Sequence, residues 1–352
     1  MKRAIQLASL GEGNTSPNPM VGAVLLDKDG CIISEGFHQE AGKPHAEVMT
    51  FCNSRSDCQG GTLYINLEPC CHYGKTPPCV DKVIESGVKR IYISMEDPDQ
   101  RVSGKGIKKL EKAGIEVHLG LCQKESYELN KAFIHKHLTG RSFGVLKWAM
   151  SIDGRIGLKN GESKWISNIH ARESVHLFRA GFDAIIVGGN TLRQDNPVLT
   201  SRGIKKVEPL RVVFTKTLDL PVKANFWDKS LSKTLVVFDE SKADQSYLKR
   251  IPPWVEIENL PSDDPRLLLA LLAKKGCNKV LWECGSKLAT AAIKSGCVQE
   301  FKTFIAPKII GGLDAMTPIS ELNFCKMSEV LELNRINFQI FGNDICLDTE
   351  IK

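Results

Sequence analysis

Apolar positions fall in short blocks separated by polar turns, and the period changes from block to block. Met20–Leu26 (MVGAVLL) is a continuous apolar run that reads as a buried strand, followed by a turn at Asp29-Gly30 and a hairpin partner at Cys31–Ser34. His45–Cys52 reads as a helix entered after Pro44. Thr62–Leu67 alternates as a strand that ends at Glu68-Pro69, and Pro77–Ser86 reads as a helix stopped by Gly87. Val88–Ser94, Gly106–Ala113 and Ile115–Leu119 continue as strand, helix and strand, and Gln123–Leu138 is a charged helical stretch. This rhythm predicts a sheet with helices on its faces.

Thr139-Gly140-Arg141-Ser142 interrupts the pattern, and a new strand signal starts at Phe143. The expected division is a first domain over 1–140 and a second over 143–352. The second reads as strands at Gly144–Met150, Ala184–Val187, Leu210–Phe214, Thr234–Phe238, Lys279–Glu283 and Phe301–Ile305, with helices at Asn168–Ala180 and Lys287–Ser295. The tail from Val330 to Ile351 alternates as two or three short strands. At 352 residues, with 42% hydrophobic and 25% charged positions, two soluble globular domains are expected.

Twelve cysteines would fit a disulfide scaffold in a short secreted chain. Their uneven spacing in a chain this long, with no secretory or transmembrane pattern, predicts free thiols in the cytoplasm instead. The net charge of +6 is spread along the chain, which fits attraction of small phosphorylated molecules better than a nucleic-acid or membrane surface.

The chemistry concentrates in one constellation. His45-Ala46-Glu47 opens a predicted helix, Pro69-Cys70 ends a predicted strand, and Cys79 starts the next helix. One imidazole and two thiolates offer zinc three ligands and leave a fourth tetrahedral position for water. Zinc lowers the pKa of that water towards neutrality, and Glu47, on the same helical turn as His45, can carry protons without binding the metal. A His-x-Glu followed by Pro-Cys marks the zinc deaminases. The spacing departs from the usual Pro-Cys-x-x-Cys. Cys71 reads as a packing residue, and His72 is the only nearby group that could close the site as a fourth ligand.

On these residues the chain resembles the bacterial bifunctional riboflavin-biosynthesis enzymes. Leu67–Cys79 (LEPCCHYGKTPPC), Pro17–Ala23 (PNPMVGA) and Glu96-Asp97-Pro98 are similar to their deaminase half. Lys147–Arg155 (KWAMSIDGR), Gly161–Ser167 (GESKWIS), Val187–Thr200 (VGGNTLRQDNPVLT) and Ala306–Gly312 (APKIIGG) are similar to their reductase half. The resemblance implies a cytidine-deaminase-like α/β/α domain followed by a dihydrofolate-reductase-like α/β domain. It implies a small phosphorylated pyrimidine as substrate, held in the first half by Asn18, His38, His72 and Lys75. In the second half it implies Ser163, Arg179, Leu199, Arg202 and Glu283 on the substrate. Ala149, Trp165, Thr191, Asp195 and the segment Gly285, Ser286, Lys287, Leu288, Ala289, Thr290 and Ala291 would hold NADPH. An arginine pair suits a phosphate. The reductase proton donor is open among Lys147, Asp195 and Glu283, with Asp195 ranked first. Cys284 stands where the family commonly has glycine, and its side chain is expected to crowd the cofactor path.

The motifs of the second half are weaker taken alone. Glycines after a strand at Val187–Thr191 and Glu283–Ser286 can bring backbone amides to a phosphate, but neither is a G-x-G-x-x-G. Rival readings are a nucleic-acid base deaminase with an accessory non-reductase domain, a zinc-stabilised interaction module without catalysis, and a reductase half that only scaffolds. Oligomeric state is open, with a homo-oligomer among the options.

Overall fold

In the computed structural model, which describes residues 1–73 and 77–352, the chain forms two compact units, Met1–Gly140 and Arg141–Lys352. The first runs α1 (Lys2–Ser9), β1 (Gly22–Leu26), β2 (Ile32–Phe37), α2 (Ala46–Asn53), β3 (Thr62–Ile65), α3 (Cys79–Glu85), β4 (Arg90–Ile93), α4 (Lys105–Lys112), β5 (Glu116–Leu119) and α5 (Gln123–Thr139). The sheet order is β2-β1-β3-β4-β5, with β1 antiparallel to β2 and β3, and β3, β4 and β5 parallel.

Strand alternation assigns the two faces. Ala23, Leu25, Leu63 and Ile65 pack with Ala46, Val80, Val83 and Leu110 of α2, α3 and α4. Val24 and Tyr64, one residue out of phase, meet Ala4 and Leu7 of α1. Gly36 lets α2 close on β2, since a Cβ there would stand 2.6 Å from the Thr50 amide nitrogen. That approach fixes the helix whose first turn carries Glu47.

The second unit runs β6 (Phe143–Ser151), α6 (Ile169–Ala180), β7 (Ala184–Gly188), α7 (Gly189–Asp195), β8 (Leu210–Thr215), β9 (Thr234–Asp239), β10 (Glu256–Leu260), α8 (Pro265–Lys274), β11 (Lys279–Trp282), α9 (Ser286–Lys294), β12 (Glu300–Ala306), β13 (Leu333–Phe341) and β14 (Asp344–Ile351). Its nine strands are ordered β10-β9-β8-β7-β11-β6-β12-β14-β13. The first seven of these positions are parallel, and β14 and β13 close the far edge antiparallel. β11 lies between β7 and β6, so the ends of three strands with different onward connections meet. Such a switch point is where open α/β sheets place ligands.

Several elements differ from the sequence expectation. The β1 partner is longer than Cys31–Ser34 and shifts to Ile32–Phe37, and the tail resolves into one long hairpin, β13–β14. α1, β10 and α8 had not been anticipated. The α8 signal was present, because Asp264 caps the Arg266 amide at 2.9 Å with Pro265 at the first helical position. Val187–Thr191 is not an open glycine turn: α7 begins at Gly189.

Arg211 on β8 is fully buried and donates to the carbonyls of Asp228 and Ser232 (2.7 and 2.8 Å) and to Thr234 Oγ1 (2.9 Å). Arg211→Met would strand these acceptors. It is expected to destabilise the second unit by about 2–4 kcal/mol. All five tryptophans lie beyond residue 147, so urea unfolding followed by tryptophan fluorescence reads this unit alone. An unchanged midpoint would contradict the account.

Candidate active sites

Three metal donors converge in the first unit. His45 caps α2, Cys70 follows β3, and Cys79 opens α3, so three different elements each deliver one ligand atom. His45 Nδ1 is 3.2 Å from Cys79 Sγ and 3.7 Å from Cys70 Sγ, and all three atoms lie within 4.8 Å of one another. Tetrahedral zinc with ordinary bond lengths places ligand atoms roughly 3.5–3.8 Å apart; the His45–Cys70 distance falls in that range and the His45–Cys79 distance is a few tenths of an ångström short of it, so the donor set fits the ion. Among the described residues His72 does not join this group, and the fourth corner has no protein donor. The Cys70 thiol is held low, at about 4, chiefly by hydrogen bonds from Cys79 and His45. The same Cys70 contact, and burial after it, push the Cys79 thiol up.

Glu47 sits in the first turn of α2 and is only 3% exposed. Burial first, and the Cys70 charge second, raise its pKa to about 7 against the opposing pull of His45. His45, Cys70 and Glu47 open onto one cavity of about 440 Å³ lined also by Asn18, His38, His72, Asp97, Arg101 and Lys136, with Cys79 buried behind them.

His38 stands behind Asn18 rather than beside it. It is 2% exposed, with one ring nitrogen 3.1 Å from the Pro44 carbonyl and the other 3.1 Å from Asn18 Nδ2. Both nitrogens are thereby engaged by the protein, while the side chain still lines the cavity. Burial holds its imidazole below the usual pKa, in the neutral form. His72 lines the cavity, and among the described residues its buried Nδ1 has no hydrogen-bond partner. Lys75 lies outside the described residues. Cys71 packs on the sheet core, as expected. Sequence reasoning gave no role to Asp97, whose carboxyl is raised to about 7 by burial and by neighbouring carboxylates, or to Lys136, which had been read only as part of a charged helix.

In the second unit, Lys147 on β6, Glu283 after β11 and Arg179 on α6 come together. Arg179 grips Glu283 with two bonds (2.6 and 3.0 Å), and Lys147 Nζ is 3.7 Å from Glu283 Oε2. Burial alone would push the Glu283 carboxyl up, but the Arg179 and Lys147 charges outweigh it and hold it at about 2. Burial lowers Lys147 against the pull of Glu283. Arg179 also donates to the Thr200 carbonyl at 3.2 Å. Much of its fork is thus engaged within the protein. Arg202 is exposed, whereas the Leu199 side chain is buried.

Asp195 ends α7 half-buried, with burial raising its carboxyl and Lys164 opposing. The Trp165 ring is 62% exposed with the Arg172 guanidinium 4.4 Å from its centroid, so it is not core packing. Ser163 is half-buried in the same connection after β6, and Ala149 packs beside Phe304. Gly285 caps α9 without a side-chain cap, within 3.9 Å of Thr191 Oγ1 at its ideal Cβ position. Uncapped amides at Ser286 and Lys287 beside Thr191 suit the phosphates of a dinucleotide. Further along, Ala289 is in the core and Thr290 Oγ1 is bonded to the Ser286 carbonyl and the Ser320 amide. Only the start of the segment therefore offers free donors. Cys284 turns its side chain onto the core, contrary to the expected crowding.

The description "Cytidine and deoxycytidylate deaminase zinc-binding region" matches residues 1–95, and "RibD C-terminal domain" matches residues 142–347. Fold and site thus define an enzyme that joins a zinc-dependent deaminase to a reductase. RibD of Synechocystis sp. is 42% identical over 346 residues, covering 98% of this chain and 93% of the relative. RibD of Bacillus amyloliquefaciens is 39% identical over 351 residues, 99% and 94%. The solved RibD of Acinetobacter baumannii superposes with TM-score 0.90 at 33% identity, over 100% of this chain and 97% of that one. The chain belongs to the RibD family of riboflavin biosynthesis proteins. The rival reading as a nucleic-acid base deaminase is not favoured. Among the described residues no helix is long and apolar enough to cross a membrane.

Proposed function

We propose that the first unit hydrolyses a ring amino group of 2,5-diamino-6-ribosylamino-4(3H)-pyrimidinone 5′-phosphate, and that the second reduces the ribosyl chain of the product to ribityl with NADPH. The solved Thermotoga maritima relative, 34% identical with TM-score 0.87, bears the name of this deaminase and reductase pair. The observation that carries the reading is the convergence of His45, Cys70 and Cys79 at a cavity that His45, Cys70 and buried Glu47 line. Zinc bound by these three residues supplies an acidified water. Glu47 takes a proton from the attacking water and returns protons to the ring nitrogen and the departing ammonia. Asn18, oriented by His38, pairs with the pyrimidine, while His72 and Lys75 meet the phosphate.

In the second unit NADPH, held by Trp165, Thr191 and the Gly285–Lys287 amides, supplies hydride. Asp195 is the proton donor to the sugar oxygen, since its raised carboxyl holds a proton more readily than an exposed one. Lys147 and Glu283 orient the ribose, with Ser163, the Leu199 backbone and Arg202 around it. The reading needs neither nucleic acid nor a membrane and sets the enzyme in the cytoplasm.

The test is incubation of zinc-loaded protein with the diaminopyrimidine phosphate, following ammonia and NADPH. Ammonia should be released without NADPH, and NADPH consumed only once deaminated product is present. Asp195→Asn should keep ammonia release and lose NADPH oxidation. NADPH consumption before any deamination would reverse the proposed order.

A further inference from the structure

We propose that Glu68 is the positioning residue of the deaminase cavity, its carboxylate fixing the segment from Asp97 to Gly106 as the wall against which the substrate lies. This rests on the deaminase reading above.

Asp97, Asp99, Arg101 and Val102 form one side of the cavity, on the connection between β4 and α4. The bonds within that connection are local. The Asp99 amide donates to Asp97 Oδ1 at 2.8 Å, the Arg101 amide to Asp99 Oδ1 at 2.9 Å, and the Val102 amide to the Asp99 carbonyl at 2.8 Å. They set the shape of the loop but not its distance from the metal ligands.

Beside one Cys71 Sγ contact to the Arg101 carbonyl at 3.8 Å, Glu68 makes the ties that set that distance. It is 3% exposed and lies between β3 and Cys70. Oε2 accepts from the amides of Asp97 (3.2 Å) and Gly104 (3.0 Å), and Oε1 from those of Gly106 (2.9 Å) and Ile107 (3.1 Å). Among the described residues no basic side chain pairs with it, so backbone amides at both ends of the wall answer its charge. Gly104, the residue before α4, carries no capping side chain, and Glu68 supplies the missing oxygen from across the site. Gly106 permits the approach: a Cβ there would stand 2.5 Å from the Pro69 carbonyl and 3.0 Å from Glu68 Oε1.

The metal ligands have separate support. The Cys79 amide lies 3.4 Å from Cys70 Sγ, and the Val80 amide donates to the Cys70 carbonyl at 3.1 Å. Loss of the Glu68 charge therefore loosens the wall and leaves the ligands held.

Glu68→Gln keeps the size and one acceptor but turns an NH2 group towards two of the four amides. In the full-length, zinc-loaded chain the variant should raise KM for deamination by about tenfold or more with kcat within about threefold of wild type. Zinc content and NADPH oxidation on deaminated product should not change. A KM close to wild type, or a loss confined to kcat, overturns the proposal. So does loss of zinc or unfolding of the first unit while NADPH oxidation persists, because Glu68 would then be structural only. Gly106→Ala approaches the same contact from the other side and should also raise KM; an unchanged KM there counts against the wall. Wild-type protein that releases no ammonia would refute the deaminase reading instead.

Discussion

Glu47→Gln is expected to lower ammonia release by about 10²–10⁴-fold, the usual worth of a positioned acid–base group. The glutamine keeps the volume of a side chain that is 3% exposed in the first turn of α2, so the helix and its His45 cap should persist. What it removes is the only function that needs a carboxylate there: accepting a proton on one side of the reaction and giving it up on the other. Zinc content should stay at the wild-type level, because the three ligand atoms are contributed by His45, Cys70 and Cys79. NADPH oxidation on supplied deaminated product should also be unaffected, since it belongs to the other unit. Ammonia release within tenfold of wild type would remove Glu47 as proton carrier and leave the zinc site without a base.

The second large effect is expected from Glu283→Gln. Glu283 holds Arg179 at 2.6 Å and Lys147 at 3.7 Å, with exposures of 10%, 13% and 16% for the three side chains. Removing one member of a buried charge cluster leaves the others uncompensated, which costs about 3 kcal/mol or more. Lys147, already lowered by burial, loses the charge that opposes that lowering. NADPH oxidation should fall by about 10²-fold, and ammonia release should not change.

The pH dependence has a definite sign. The Glu283 carboxyl lies below its ordinary value of 4.5, at about 2. Its contribution to stability is complete above pH 4.5 and is lost as pH falls through about 2. Tryptophan-monitored unfolding of the variant should therefore lose part of the acid sensitivity that wild type shows in that window. A variant as active in NADPH oxidation as wild type would show that the cluster is scaffolding.

The metal site was legible in sequence because its donor types are rare and sit at element boundaries. A histidine before a helix, a cysteine after a strand and a cysteine opening a helix can meet only if the strand and both helices pack side by side. Alternation over Thr62–Leu67 and the helix signals at Pro44 and Gly87 already implied that packing. The expected boundary at Thr139–Ser142 rests on a similar local signal; the compact units of the structure are Met1–Gly140 and Arg141–Lys352.

The second site was not legible in this way. Lys147, Arg179 and Glu283 stand on a strand, a helix and a strand end far apart in sequence, and β11 inserts between β7 and β6. Charged residues on such elements read as surface, and the resemblance alone drew attention to them. Short elements were missed where a local signal existed but no long apolar run backed it, as with Asp264-Pro265 at α8.

Sequence by itself determined the ligand chemistry, the division of the chain and the alternation that makes each sheet, because these depend on residue type and on neighbours a few positions away. Tertiary structure alone decided which polar groups are spent inside the protein and which face a ligand. Arg179 turned inward to Glu283, His38 backed Asn18, and Cys284 turned to the core. Glu68, one carboxylate among many in the sequence, became the anchor of a cavity wall through four amides of another segment. The reason is that hydrogen-bond partners are set by which strands and loops become neighbours on folding, and strand order is a property of the whole sheet that no local stretch encodes.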